Sequence, residues 1–240
     1  MSVLQPQFLT VGAGEAARQI AMLVRPARAD RDLPALVWLS GYRSDMSGSK
    51  AVEIDRLAEE LGTACIRLDY SGHGLSSGAF TDGTISRWLE EALAVIRDAA
   101  PKRMILIGSS MGGWIALHLA LLRGEHVRAL VGIAAAPDFT AWGFDNGQAA
   151  ERQGVGRAFW ESGQQLRLLD KEIGIDCPVR LIHGEKDQDV PLDVAFRTMH
   201  ALRSADVQLN VLKGGGHRLS EPHEIDAILR TVDGLLEPAP

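Results

Sequence analysis

A serine framed by two glycines stands between two apolar runs, and this arrangement limits the folds open to the chain. The run before it, Met104–Gly108, has the length and composition of a buried strand, and the run after it, Gly112–Leu122, has the length of a helix. A sharp turn from a strand into a helix displays one side chain at the edge of a parallel sheet. The sequence between the two runs therefore predicts an exposed serine at that edge.

Steric crowding selects Ser110 over its neighbour Ser109 as the displayed residue. The backbone of such a turn is strained, so the residues two before and two after the serine must be small. Ser110 has Gly108 and Gly112 at these positions, whereas Ser109 would have an isoleucine and a methionine. An ordinary strand-to-helix turn is the alternative interpretation, and the flanking elements favour a reactive Ser110.

Strand and helix patterns alternate along the chain and predict an α/β fold, a mostly parallel sheet with helices on both faces. Phe8–Val11 and Arg18–Arg25, joined by the short link Gly12-Ala-Gly-Glu, predict an antiparallel hairpin at the sheet edge. The other predicted strands are Leu36–Ser40, Ala64–Leu68, Met104–Gly108, Val127–Ala134, Val179–His183 and Val207–Leu212. The predicted helices are Ala51–Leu61, Ile85–Ala99, Gly112–Leu122, one near Leu192–Leu202 and one from about Pro222 to Leu236.

Length, charge and cysteine content limit the classes of protein to which the chain can belong. The 240 residues, 46% of them hydrophobic, suit one α/β domain over residues 1–240 with room for one inserted subdomain. The formal net charge is −6 and no basic block occurs, so we expect no nucleic-acid partner. The two cysteines, Cys65 and Cys177, adjoin strand patterns, which favours free buried thiols in a reducing compartment.

The N-terminal residues and the hydropathy pattern bear on location. The first residues show no basic and apolar leader and no small-residue cleavage site. No apolar run approaches the ~20 residues that a membrane-spanning helix needs. We therefore expect a soluble, cytoplasmic protein without a membrane span.

Two aspartates are candidates for the acid that a reactive serine requires. A neutral imidazole must accept the proton of the serine hydroxyl, and a carboxylate must hold that imidazole in the right tautomer. Where the serine lies on such a turn, the acid follows it in the chain and the histidine comes last. Asp187 and Asp189 both lie in the turn after the predicted strand Val179–His183. Either could instead be a turn-forming or helix-capping residue.

His217 is the candidate general base. It follows Gly214-Gly-Gly216 directly after the strand Val207–Leu212, and a glycine-rich loop can carry the imidazole to the sheet edge of Ser110. Other histidines lie in or beside helices and strands, where surface or core roles are expected: His118, His126, His200 and His223. His183 with the two aspartates resembles a metal cluster, but these residues share one strand end without a separated second group of ligands. We expect no metal and no cofactor.

Two backbone N–H groups are expected to stabilise the oxyanion of a tetrahedral intermediate. Met111, the residue after the serine, supplies the first. The loop after Leu36–Ser40 supplies the second, because Gly41 lets the backbone turn the N–H of Tyr42 towards the site. A simple strand-to-helix loop is the alternative. The glycine-punctuated loop Asp69–Ser76 is expected to give structural support.

These motifs together resemble the α/β-hydrolase superfamily over nearly the whole chain. They are Leu39-Ser-Gly-Tyr-Arg-Ser-Asp-Met, Asp69-Tyr-Ser-Gly-His-Gly-Leu-Ser-Ser-Gly, Gly108-Ser-Ser-Met-Gly-Gly-Trp, His183-Gly-Glu-Lys-Asp-Gln-Asp-Val-Pro and Gly216-His217. The Gly-Tyr-Arg-Ser-Asp-Met stretch and a short cap are most similar to the group of mitochondrial acyl-protein thioesterases that also cleave acyl glucuronides. The resemblance implies Ser110, Asp187 and His217 as a catalytic triad. It also implies hydrolysis of thioesters or activated esters, of small molecules or of acylated proteins.

The segment from residue 137 to about 173 interrupts the alternation of strands and helices. It is long, carries several glycines and shows short helical fragments, so we expect a small cap inserted after a strand. Five of the thirteen aromatic residues cluster there: Phe139, Trp142, Phe144, Phe159 and Trp160. One hypothesis is that Trp142, Phe144 and Trp160 line an apolar substrate pocket beside Ser110 that favours longer acyl groups. The alternative is that the rings only attach the cap to the body.

Functions other than hydrolysis are alternatives for parts of this sequence. Gly12-Ala-Gly14-Glu-Ala-Ala17 matches a dinucleotide-binding pattern, but Pro26 stops the helix that such a site requires. A ligand-binding protein without catalysis could keep the same fold. The same triad could also cleave peptides or carbon–carbon bonds.

Overall fold

The computed structural model describes residues 4–144, 147–152 and 156–236, with the side chains at 150 and 152 excepted. The strands within these ranges are β1 (Gln7–Val11), β2 (Arg18–Arg25), β3 (Ala35–Leu39), β4 (Cys65–Leu68), β5 (Met104–Ser109), β6 (Val127–Ile133), β7 (Val179–Gly184) and β8 (Val207–Leu212). They form one sheet in the order β1-β2-β4-β3-β5-β6-β7-β8. The strands from β4 to β8 in this order pair in parallel, and β2 pairs antiparallel with both of its neighbours. The predicted fold, a mostly parallel sheet with an antiparallel hairpin at its edge, is confirmed.

The hairpin of β1 and β2 contains the glycine motif Gly12-Ala-Gly14-Glu-Ala-Ala17, which matches a dinucleotide-binding pattern in sequence. Val11 lies opposite Arg18, and a short 3-10 turn at Gly14–Ala16 joins the two strands. A dinucleotide-binding glycine motif must stand between a parallel strand and a helix. This motif stands between two antiparallel strands, so it cannot serve that purpose.

Helices cover both faces of the sheet. The long helices of the described ranges are α1 (Ser49–Leu61), α2 (Ile85–Ala99), α3 (Met111–Arg123), α7 (Leu192–Ala201) and α8 (Pro222–Asp233). Short helices, whose ranges are given below, lie between β6 and β7. The helices α1 and α8 pack together, and so do α2 and α3. In the described ranges, no helix combines the length and the hydropathy that crossing a bilayer requires.

Successive side chains of β3 belong to two different hydrophobic cores, one on each face of the sheet. Val37 and Leu39 belong to the apolar cluster that includes Trp88 of α2 and Trp114 of α3. Residues 36 and 38 point to the opposite face and join the cluster beneath α1 and α8. Successive side chains of a strand point to opposite faces, and here both faces are covered. The strand is therefore buried along its whole length.

Three predicted elements, Arg18–Arg25, Ile85–Ala99 and Val207–Leu212, coincide with the structure, and the boundaries of the others differ by at most three residues. The largest difference is at the C-terminus, where α8 ends at Asp233 and not at Leu236. Leu235 and Leu236 donate their N–H groups to carbonyls three residues back, which tightens the chain beyond a regular α-helix. Helix α3 begins at Met111, because the turn at Ser110 is completed one residue earlier than the pattern indicated.

The segment 137–173, here named the cap segment, contains α4 (Phe139–Trp142), α5 (Gly147–Arg152) and α6 (Arg157–Gln165). Its residues 145–146 and 153–155 lie outside the described residues. Asp138 is buried and accepts the N–H of Leu168 at 2.9 Å and that of Leu169 at 2.7 Å, which joins the two ends of the segment. The ring nitrogens of Trp114 and His118 on α3 bond to the carbonyl of residue 166 at 3.1 and 2.9 Å. The cap segment is thus attached to the helix that follows Ser110.

Candidate active site

The turn at Ser110 has the strained backbone that the glycine spacing predicted. Its φ and ψ are 53° and −120°, a combination that few residues other than glycine adopt. A Cβ atom on Gly108 would lie 2.2 Å from the carbonyl oxygen of Gly112, and one on Gly112 would lie 2.0 Å from that of Leu39. Ser110 donates its own N–H to Ile133 at 2.9 Å, which ties the turn to β6. The local packing therefore requires both glycines, and it holds the strained backbone of Ser110 in place.

His217 lies between Ser110 and Asp187 and bonds to both. Its Nε2 is 3.1 Å from Oγ of Ser110, and its Nδ1 is 2.9 Å from Oδ2 of Asp187. A carboxylate can only accept, so Nδ1 carries the proton and the lone pair of Nε2 faces the serine hydroxyl. All three residues follow the carboxyl ends of parallel strands of the same sheet, β5, β7 and β8, with β6 between the first two. The sheet thus brings together residues that lie 107 and 30 positions apart in sequence.

The carboxylate of Asp187 is held in its charged form. Its side chain has no exposed surface, and burial by itself would raise its pKa. The hydrogen bond from His217 and the N–H groups of Val190 and Asp189, each 2.9 Å from Oδ1, outweigh burial and lower the pKa of Asp187 below its ordinary value. Of the two candidate acids, Asp187 is the one that bonds to His217. Asp189 is exposed.

His183 supports the loop that carries the acid, a role the sequence analysis did not assign. It is 1% exposed, and its Nε2 lies 2.9 Å from the carbonyl of Val190 and 3.5 Å from Oδ2 of Asp187. By bonding Val190 it fixes one of the two backbone donors to the carboxylate. The available signal was its place as a polar residue at the end of an apolar strand, four positions before the acid.

Asp187, Asp189 and His217 place ligand atoms within 4.8 Å of one another, as a metal site would. However, Oδ2 of Asp187 and Nδ1 of His217 are bonded to each other, and Oδ1 already accepts two N–H groups. A metal ion would have to break these bonds to gain its ligands. The group is arranged to orient the imidazole.

The proposed oxyanion donors lie on either side of the serine. Met111 is the first residue of α3, so its N–H has no acceptor within the helix. On the other side, a Cβ atom on Gly41 would lie 3.3 Å from Cβ of Ser110, so the Gly41–Tyr42 backbone passes close to the nucleophile. Asp69 steadies this loop by accepting the N–H of Met46 at 2.7 Å. The structural support expected of the loop after β4 is provided by that carboxylate.

An apolar cavity of about 230 Å³ opens on Ser110 and His217 from the side of the cap segment. Trp142 and Phe144, two of the three predicted pocket residues, line it. The third, Trp160, is not among the lining residues and lies instead against Gly147 of α5. The remaining walls are Tyr42, Ala136, Phe139, Gly143, Asp189 and Val190. Phe139 belonged to the aromatic cluster of the sequence, whereas nothing in the local pattern marked Val190.

Tyr42 lines both the apolar cavity and a second one of about 250 Å³. The second cavity is lined by Tyr42, Phe80, Thr81, Gly83, Trp88, Glu151, Gly156 and Phe159. The ring of Tyr42 packs against Phe80 and Phe159, with centroids 5.0 and 5.4 Å apart. Burial raises the pKa of the Tyr42 hydroxyl, and the neighbouring Arg43 opposes this rise.

A third cavity, of about 490 Å³, also opens on Ser110 and His217, and most of its lining residues are polar or charged, so it is here named the polar cavity. Its walls are the loop after β3, the first turn of α1 and the residues that follow His217. It contains several serines together with the charged residues Arg43, Asp45, Lys50 and Arg218. None of these charged residues was predicted from the sequence, although Arg43 and Arg218 directly follow Tyr42 and His217. Their adjacency to named site residues was the signal.

The fold and this site are typical of the α/β-hydrolase family, and the comparisons with known proteins assign the chain to the same family. The model of the family described as alpha/beta hydrolase fold matches residues 34–164 of the chain. The chain belongs to this family. Its particular relatives include the human mitochondrial palmitoyl-protein thioesterase ABHD10, which is 34% identical over 224 residues, covering 85% of this chain and 73% of the human protein.

Two solved structures are similar over nearly the whole chain. A putative hydrolase from Agrobacterium vitis is 43% identical, with a TM-score of 0.91 and coverage of 98% of this chain and 100% of that one. Mouse ABHD10 is 31% identical, with a TM-score of 0.85 and coverage of 95% and 98%. The family and the group indicated by the sequence motifs are therefore confirmed.

Proposed function

We propose that this protein hydrolyses acyl thioesters or esters through a covalent acyl-enzyme on Ser110, with His217 as general base and Asp187 as the orienting acid. The line of hydrogen bonds from Asp187 through His217 to Ser110 carries this proposal, because it activates a hydroxyl at the mouth of an apolar cavity. The family supports it, since the curated relatives include a palmitoyl-protein thioesterase.

The first half of the reaction forms the acyl-enzyme. Nε2 of His217 accepts the hydroxyl proton as Oγ of Ser110 attacks the carbonyl carbon of the substrate. The oxyanion that forms is stabilised by the N–H groups of Met111 and Tyr42. The intermediate then expels the thiol or alcohol, which takes the proton from the imidazolium. A thiolate leaves with little help, which favours thioesters over amides.

The second half of the reaction returns the free enzyme. Water replaces the leaving group beside His217, gives a proton to Nε2 and attacks the acyl carbon. The carboxylic acid departs and Oγ recovers its proton. Asp187 stays ionised throughout and stabilises the imidazolium at both steps.

The apolar cavity indicates the acyl group. At ~30 Å³ for a water-sized group, a cavity of about 230 Å³ holds a chain on the order of eight carbons. Each buried methylene contributes ~0.8 kcal/mol, so kcat/KM should rise about fourfold with each added carbon that the cavity accepts fully. Medium acyl chains are therefore preferred over acetyl, and Trp142 and Phe144 form the wall they contact.

A matched series of thioesters from acetyl to palmitoyl on one neutral thiol tests the proposal. We expect kcat/KM to rise to a medium chain, with Ser110→Ala lowering kcat by ~10³-fold or more. Fluorophosphonate labelling should occur in the native protein and be lost in Ser110→Ala. Trp142→Ala and Phe144→Ala should flatten the series, whereas Trp160→Ala serves as the matched control.

Three results would contradict the proposal. One is retention of activity in Ser110→Ala. Another is turnover of peptides in preference to every thioester and ester. A series that peaks at acetyl would refute the acyl pocket while leaving the nucleophile in place.

A further inference from the structure

The polar cavity beside Ser110 concentrates positive charge in a protein whose net charge is −6. Three cationic side chains, Arg43, Lys50 and Arg218, line it together with one acidic residue, Asp45. We propose that this cavity binds the leaving group of the substrate and that the leaving group carries a phosphate. The inference rests on the proposed hydrolase function and adds the chemical class of the second half of the substrate.

The cations of the cavity lack carboxylate partners. In the part of the chain that the structure describes, none of Arg43, Lys50 and Arg218 lies within 4.0 Å of a carboxylate oxygen. The one acid of the cavity is already engaged, because Asp45 accepts the N–H of Ser47 at 2.8 Å. Elsewhere in the protein, buried arginines such as Arg25 are paired with acids. The guanidinium of Arg43 lies over the rings of Tyr42 and Phe80, 5.5 and 5.4 Å from their centroids. Lys50 and Arg218 are therefore the cations of the cavity that most favour an anionic ligand there.

Lys50 lies at the wall of the cavity next to the chain at Arg218. Its Nζ donates to the backbone carbonyl of Arg218. Burial lowers the pKa of Lys50, Glu224 opposes this change, and the charge of Arg218 adds to it. A dianion bound in the cavity would stabilise the positive charges of both residues.

The remaining donors suit phosphate. Helix α1 begins at the wall of the cavity, and its N-cap residue Gly48 makes no side-chain cap, so the first N–H groups of this 13-residue helix have no intrahelical acceptor. Serine hydroxyls at positions 44, 49 and 220 add further donors. A guanidinium fork, an ammonium group and several hydroxyls together match the three oxygens of a phosphate monoester.

The two cavities divide the substrate at the scissile bond. Both are lined by Ser110 and His217, the apolar one on the side of the cap segment and the polar one on the side of α1. As Oγ of Ser110 bonds to the acyl carbon, the C–S bond breaks. The thiolate departs on the polar side, takes the proton from His217 and leaves with its phosphate. The acyl chain stays in the apolar cavity until water releases it.

Three octanoyl thioesters test the inference by separating charge from reactivity. They are octanoyl-coenzyme A, which carries phosphates, octanoyl-N-acetylcysteamine, which is neutral, and the octanoyl thioester of 3-mercaptopropionate, which carries a carboxylate. We expect kcat/KM for the coenzyme A ester to exceed that for the neutral ester by roughly tenfold or more. Lys50→Gln and Arg218→Gln should each remove most of this preference through a higher KM.

The control keeps the change of charge but moves it away from the site. Arg97 is exposed in the last turn of α2 and lines neither cavity, so Arg97→Gln should keep the full preference. Arg97→Gln should also hydrolyse the neutral ester like the native protein. Lys50→Gln and Arg218→Gln should lower kcat/KM far less for the neutral ester than for the coenzyme A ester, and all variants should label with a fluorophosphonate. If the native protein neither hydrolyses the neutral ester nor reacts with the fluorophosphonate, the hydrolase function itself is refuted.

Three outcomes would overturn the phosphate site while leaving the hydrolase intact. The first is equal cleavage of the coenzyme A ester and the neutral ester by the native protein. The second is an equal loss of kcat/KM for both esters in Lys50→Gln and Arg218→Gln. The third is a gain for the carboxylate ester as large as that for the coenzyme A ester, which would assign the cavity to carboxylates in general.

Discussion

The α-carbon of Gly112 faces the carbonyl oxygen of Leu39 so closely that a Cβ atom would lie 2.0 Å from it. This approach joins the turn after β5 to the end of β3, and so it sets the position of Ser110 relative to the loop of Tyr42. Backbone atoms form both sides of the contact, so no side-chain rotation can relieve a clash. The glycine is required by packing between two elements of the site.

We expect Gly112→Ala to destabilise the protein and to abolish activity. The cost should be about 3 kcal/mol or more, which lowers the Tm of a chain of this size by about 6 °C or more. Gly124→Ala is the control, because a Cβ atom there meets nothing within 4 Å. Thermal unfolding and esterase assays on both variants check the prediction. A fully active Gly112→Ala variant would show that the turn can move.

The two candidate acids give a direct comparison. Asp187→Asn should lower kcat by ~10³-fold or more, because an amide at this position no longer selects the tautomer with a free Nε2. Asp189→Asn should change kcat little, because only the backbone N–H of Asp189 takes part in the arrangement. Thermal unfolding should show both variants folded. The reverse ranking of kcat would transfer the role to Asp189.

Local steric rules and strand order predicted much of this structure. The spacing of Gly108 and Gly112 predicted the strained turn at Ser110, and the position of His217 after the strand Val207–Leu212 predicted that it would reach the same sheet edge. Both placements depend on one turn or on the common direction of parallel strands, and this is why the sequence could predict them.

Features that depend on tertiary packing were not predictable in the same way. Arg43 and Arg218 directly follow named site residues, but nothing near Lys50 in sequence indicates that it lines one cavity with them. Likewise, Trp160 shares the composition of the cap segment but not its position at the cavity, because the packing of short helices sets which rings face Ser110. The sequence pattern predicted short helices between β6 and β7, but it could not predict how their side chains are oriented.

Buried histidine on α3 should make stability depend on pH. Burial lowers the pKa of His118 in the folded state, whereas an unfolded histidine titrates near ~6.5. Below that pH the unfolded chain binds more protons than the folded one, so the free energy of unfolding falls on acidification, by at most ~1.4 kcal/mol per pH unit for this residue. Urea unfolding at pH 7 and pH 5 measures the change.

His118→Gln should make this dependence shallower, because glutamine does not titrate and can still donate to the carbonyl of residue 166. Above the unfolded pKa the two proteins should differ by a constant amount only. If the variant keeps the slope of the native protein, other groups account for the acid sensitivity, and His73, whose pKa burial also lowers, is the next residue to replace.

Tyr42 should limit the length of the acyl chain. Its ring forms a wall of the cavity of about 230 Å³ beside Ser110 and of the neighbouring cavity of about 250 Å³, so removing the ring should join the two. Tyr42→Ala keeps the backbone N–H proposed to bind the oxyanion, whereas Tyr42→Phe keeps the ring.

We therefore expect the chain-length optimum of Tyr42→Ala to move several carbons beyond that of the native protein, towards palmitoyl, since the joined space is about twice as large. Tyr42→Phe should keep the native optimum, because the partition between the cavities remains. The measurement is kcat/KM across neutral thioesters from acetyl to palmitoyl, with thermal unfolding to show that each variant is folded. A folded Tyr42→Ala variant with an unchanged optimum would show that the long chain takes another path. A uniform loss on every chain length would instead mean that the ring positions the oxyanion loop and does not limit chain length.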